Sequence, residues 1–153
     1  MLWEGTSNIN ALDVVQRAVG KEGSDEALAA TLHGKLAEAD ALPKAYRARL
    51  AALIDRTIAF ARSVARNPGD EPHARLAATA LYNMTSAVVL AWEATRPGVD
   101  ARRAIVSRFV VEHRLEAADP LAPHDDAWER EATALLLDPT PVAFDRAAAL
   151  LLA

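Results

Sequence analysis

From Leu76 to Trp92 the chain runs 17 residues without a charge. This stretch limits the possible folds more tightly than any other. It either leaves water for a membrane or is covered by the rest of the protein. A bilayer span needs about 20 predominantly apolar residues. The run is shorter than that and contains Thr79, Asn83, Thr85 and Ser86. It therefore reads as a helix buried on several sides in a bundle, the usual place for a helix with little polar surface. Its flanks agree: Pro72 suits a first helical turn, and Pro97-Gly98 ends the pattern.

Such a helix needs partners, and the neighbouring segments have the pattern to supply them. Between Pro43 and Arg66 an apolar stripe passes through Tyr46, Leu50, Leu53, Ile54, Ile58, Ala61 and Val64. Spacings of three and four place these on one helical face. Arg47, Arg49, Asp55, Arg56, Arg62 and Arg66 occupy much of the rest, and Asn67-Pro68-Gly69-Asp70 reads as a turn. Upstream, Ile9, Leu12, Val15, Ala18 and Val19 predict a first helix over 8–19, ended by Gly20 and Gly23 in the left-handed conformation glycine tolerates. Ser24 is expected to cap a second helix through Glu38, with Leu28, Leu32 and Leu36 as its stripe and Asp25 and Glu26 at its favourable end. Downstream, Asp100 caps a fifth helix with Ile105, Val106, Phe109, Val110 and Leu115, which Asp119-Pro120 ends. After a loop with Pro123, a sixth helix spans 126–137 with Trp128, Ala132, Leu135 and Leu136. Thr140-Pro141 opens a short last helix with Phe144, Ala148 and Leu151. Alanine is abundant and period-two alternation is absent, so no strand is expected. The fold expected is all-α: a helical bundle of long antiparallel helices with short ones packed at the end.

With 153 residues, 52% of them hydrophobic, the chain has material for one core. The absence of cysteine excludes disulfides and thiolate chemistry. A net charge of −4 and a pI near 5.5 argue against nucleic acid. Arg102, Arg103, Arg108 and the arginines of the third helix are interleaved with acids, as on a solvated face. His33, His73, His113 and His124 fall on different elements, with no His-Glu-x-x-His or Glu-x-x-His spacing, so no metal site is expected. No nucleophile elbow and no phosphate-binding glycine loop occurs. Trp3, Trp92 and Trp128 read as core or interface residues. The N-terminus has no basic segment followed by an apolar one, which makes the cytoplasm the expected location.

The one chemically dense stretch is Trp3-Glu4-Gly5-Thr6-Ser7-Asn8-Ile9-Asn10. An aromatic, a carboxylate, a glycine and three small polar residues stand in succession before an apolar-periodic helix. Physically this is a loop ending in a helix cap. Thr6, Ser7 or Asn8 can accept a bond from a first-turn N–H, and the free amides there favour an anion. The run Trp3 to Ile9, continued loosely by Leu12, Asp13 and Val14, resembles the Glu-Gly-Thr loop that opens the last core helix of flavin-dependent acyl-CoA dehydrogenases. The tryptophan and Asn8 look most like the AidB-type alkylation-response subgroup, whose members carry a helical extension after this loop.

The resemblance covers about the first tenth of the chain and implies the following. Residues 1–22 are the end of a dehydrogenase core, and 23–153 form a C-terminal helical bundle. Glu4 matches the catalytic base that removes an α-proton from an acyl-CoA thioester while flavin takes a β-hydride. Gly5 approaches the acyl thioester, and Thr6, Ser7 and Asn8 touch FAD. The chain then contributes to an acyl-CoA dehydrogenase completed by upstream domains, and FAD and acyl-CoA belong to that whole enzyme; the isolated chain is expected to hold neither. The rival reading is a helical interaction module without redox activity. Ile9, Leu12, Val15 and Val19 form an apolar stripe whose core partners, by the resemblance, lie upstream. It frays, folds back or pairs with another copy, and a homo-oligomer is the expectation.

Overall fold

Alanine, leucine and arginine are strong helix formers, and their dominance here gives an all-α bundle. A computed structural model describes residues 4–117, 119, 121 and 127–152, leaving aside the side chains of residues 4–7 and 68. Among the described residues every regular element is helical and no strand is present. Trp3, Pro120, Pro123, His124 and Asp126 lie outside them.

The leading helix begins four residues earlier than its apolar pattern predicts. α1 spans Glu4–Leu12 and continues without a break as a π-helical stretch, Asp13–Val19. The expected loop is therefore helical from Glu4 onward, and Thr6, Ser7 and Asn8 lie inside the first turns rather than at the cap. Packing explains the difference. α1 lies against α4 and buries Ala11, while Val15 and Val19 of the π stretch enter the core. That tertiary contact outweighs the cost of about 1 kcal/mol for a glycine inside a helix. Of the outcomes open to the leading segment, this is the one in which it folds back on its own bundle. The π register is seen in amides bonding five residues back: Gly20 N–H donates to the Val15 carbonyl and Glu22 N–H to that of Arg17, each at 3.0 Å. Gly20 stays right-handed at φ −75°. A Cβ there would lie 2.7 Å from the Gln16 carbonyl oxygen and 3.4 Å from Ala65 Cβ, so close approach calls for this glycine.

Gly23, at φ 65°, takes the left-handed conformation and precedes α2 (Ser24–Glu38), so Ser24 is the first helical residue and not the cap. Asp25 of α2 is buried against Arg62, its ion-pair partner on α3 (Lys44–Arg66). The whole predicted stripe of α3, from Tyr46 to Val64, is buried. A 3-10 segment, Pro68–His73, takes up Pro72 and leads into α4 (Ala74–Ala94). α5 (Arg102–Val110) runs on into a second π-helical stretch, Val111–Leu115. Ala101, not Asp100, stands at the cap of α5; Asp100, one residue earlier, still accepts from the first helical N–H, that of Arg102, through Oδ1 at 2.9 Å. α6 (Ala127–Leu137) and α7 (Phe144–Ala149) follow. Thr140-Pro141 does not open α7, which starts at Phe144. Thr140 N–H instead closes a turn on Asp138 Oδ1 at 2.7 Å.

Cross-bundle pairs give the helix directions. His33 meets Asp55 and Asp25 meets Arg62, so α2 and α3 run antiparallel. Ser107 meets Ala87 and Arg103 meets Glu93, so α4 and α5 do too. α4 is the hub and touches α1, α2, α3 and α5. Many of its buried residues are small: Ala77, Ala87 and Ala91 share the core with Leu81, Met84 and Val88, and Ala61 of α3 and Ala104 of α5 are fully buried in the same core. Coverage of α4 is nonetheless incomplete, and Leu76 and Tyr82 point outward. No described helix is long and apolar enough to cross a membrane.

Candidate functional site

α1 meets the start of α4 in an open groove of about 490 Å³, lined by Asn8, Leu12, Glu71, Pro72, Ala74 and Arg75. Of the residues singled out in the sequence, Asn8 is on this wall. The backbone of Glu4, Gly5, Thr6 and Ser7 forms the turn that leads to it. The amides at the start of a helix lack partners within it and carry a partial positive charge. Across the groove, Arg75 makes no ion pair or hydrogen bond among the described residues, and Glu71 is exposed beside it. Sequence reading missed both. Arg75 stands 67 positions (75 − 8) after Asn8, and only the folding back of α1 brings them together. The described lining offers charge and hydrogen-bond recognition of an anion; it holds no nucleophile paired with a base.

The second polar cluster is buried and belongs to the architecture. Tyr46 Oη and Ser107 Oγ lie 2.8 Å apart, and Ser107 donates to the Ala87 carbonyl at 2.7 Å, which ties α3, α4 and α5 together. Burial, partly offset by the Ser107 bond, pushes the Tyr46 phenol up to about 12. An unfolded tyrosine ionises near pH 10. Between the two values the folded chain keeps a proton that the unfolded chain has lost. Stability is therefore expected to be full below pH 10 and to fall by about 1.4 kcal/mol per pH unit as pH rises toward 12. Denaturant midpoints across that range check this, and Tyr46→Phe should flatten the decline.

Arg108, 4% exposed, is the buried cation of the cluster. It donates to the Leu150 carbonyl and to Glu112 at 3.3 Å, and its guanidinium lies 3.9 Å from the centre of the Trp128 ring. Glu112 also accepts from Arg49 at 3.0 Å, and Glu116 pairs with Arg49 at 2.6 Å. Burial acts to raise Glu112, but Arg49 and Arg108 outweigh it and hold its carboxyl below the usual range. The arginines of the supposed charged face are thus largely engaged: Arg62 with Asp25, Arg102 with Asp100, Arg103 with Glu93.

His33 pairs with Asp55 at 2.9 Å, and His113 stacks on Phe109 beside Glu129 at 3.2 Å. Among the described residues no group of three or more histidines or acids gathers to hold a metal. Trp92 donates to Glu38 at 2.9 Å beneath the Lys35 ammonium, which lies 3.5 Å from the ring centre. Trp128 packs on Phe109. No protein-family model, curated protein or solved structure matches the chain.

Proposed function

We propose that this chain is the C-terminal helical part of a flavin-dependent acyl-CoA dehydrogenase. The observation that supports the reading is the sequence run from Trp3 to Ile9, which from Glu4 onward opens a helix laid against α4, with Asn8 on the wall of an open groove. The donors there suit a polyanion: the first-turn amides of α1, the Asn8 amide and Arg75, which has no partner among the described residues. They fit the diphosphate of FAD. The described lining offers no aromatic slot for the flavin ring, which would rest on upstream domains. When bound, FAD would accept the β-hydride of the acyl chain. Glu4 would take the α-proton, Gly5 would let the thioester come close, and Thr6, Ser7 and Asn8 would hydrogen-bond the cofactor. A helical interaction module without redox activity is the second reading, favoured by the outer face of α4, which carries no charge between Arg75 and Glu93.

The test is to read the coding sequence upstream of Met1 and to express the continuous frame it forms. A yellow protein with about one flavin per chain that oxidises acyl-CoA supports the proposal. A frame with no flavin domain, or a colourless product, removes it. The 153-residue chain alone is expected to be colourless, since a few contacts do not offset the entropy of binding a dinucleotide.

A further inference from the structure

The outer face of α4 carries Arg75, Thr79, Tyr82, Ser86, Val89 and Glu93. Their spacing alternates four and three, the rhythm of a helix that packs against another helix. Arg75, Thr79 and Tyr82 are exposed and the other three half-buried. A stripe that faces water ordinarily carries charge. This one carries none between its ends, and at its middle Tyr82 is 72% exposed, a residue type enriched where proteins meet.

The ends differ in sign. Arg75 has no ion-pair partner among the described residues, and Glu93 pairs with Arg103 on α5 of its own chain while staying half-exposed. Arg75 lies nine residues before Met84 and Glu93 nine after it. A two-fold axis beside Met84 would turn the stripe onto itself. Arg75 would then meet Glu93 of a second copy, Thr79 would meet Val89, and Tyr82 would lie over Ser86. The uncharged middle lets two chains of net charge −4 approach without repulsion along the contact. From this self-complementary charge pattern we propose that α4 is a homodimer interface, two copies pairing antiparallel about Met84. This gives the homo-oligomer a surface; it engages the same Arg75 that the flavin reading offers to a diphosphate, and its test needs no flavin.

Sedimentation of the full chain tests it without any cofactor. The chain is expected to dimerise at micromolar concentration. Tyr82→Glu is expected to weaken association at least about 30-fold while leaving the helical circular dichroism unchanged. The chain has no cysteine, so register can be read by oxidation. A double variant, Thr79→Cys with Val89→Cys, should cross-link into a covalent dimer. Thr79→Cys alone should not, because the two copies of residue 79 stand roughly 15 Å apart along the paired helices. A monomer at every concentration, a dimer indifferent to Tyr82→Glu, or cross-linking by Thr79→Cys alone would overturn the proposal.

Discussion

Arg108→Ala is expected to lower the stability of the chain by about 3 kcal/mol, with α6 and α7 loosening before the rest. The guanidinium is nearly sealed from water and serves three elements at once. It holds the end of α7 through the Leu150 carbonyl, packs on Trp128 of α6 and meets Glu112 beside Val111. Alanine would orphan a buried carbonyl, empty the space over Trp128 and remove one of two cations from Glu112. Arg49 still serves Glu112, which keeps the loss at the low end of what breaking a buried pair costs. Arg108→Met should lose less, because its apolar stem still covers the tryptophan. Urea unfolding gives the size, and hydrogen exchange gives the order: α6 and α7 should lose protection while α2, α3 and α4 keep it. Equal midpoints for wild type and Arg108→Ala would mean that the buried cation contributes nothing.

The second large effect concerns chemistry and rests on the proposed function. In the enzyme completed by its upstream domains, Glu4→Gln should cut acyl-CoA oxidation by about 10²-fold or more and leave flavin content unchanged. Glutamine keeps the shape and hydrogen bonds of glutamate but cannot take a proton. The discriminating measurement is the single-turnover rate of flavin reduction. A normal rate in Glu4→Gln would place the base on another residue.

Much of the fold was legible because burial follows periodicity. The α3 stripe can be read residue by residue, and the charge-free run identifies α4 as the hub before any contact is known. The start of α1 was not legible, because α1 rests on α4, a partner some 70 residues away in sequence. The same distance hid the groove between Asn8 and Arg75. Arg108 resembled its neighbours Arg102 and Arg103, and only the return of α7 across α5 makes it a buried residue. The outward face of α4 was missed for the opposite reason. An absence of charge reads as burial, whereas Leu76, 58% exposed, and Tyr82 show that it also occurs on a face open to solvent.

The alanines between α3, α4 and α5 bear on how such a sequence can drift over evolutionary time. At Leu50 or Ile54 the harmful changes are truncations, which leave holes. At Ala61, Ala77, Ala87, Ala91 and Ala104, all fully buried, nothing is left to remove except a methyl, and a larger side chain overpacks the core. Lineages can exchange one aliphatic for another at the first kind of site, whereas the second kind admits little besides glycine and serine. Distant descendants would therefore keep the gaps between these helices more faithfully than the side chains that fill the core around them.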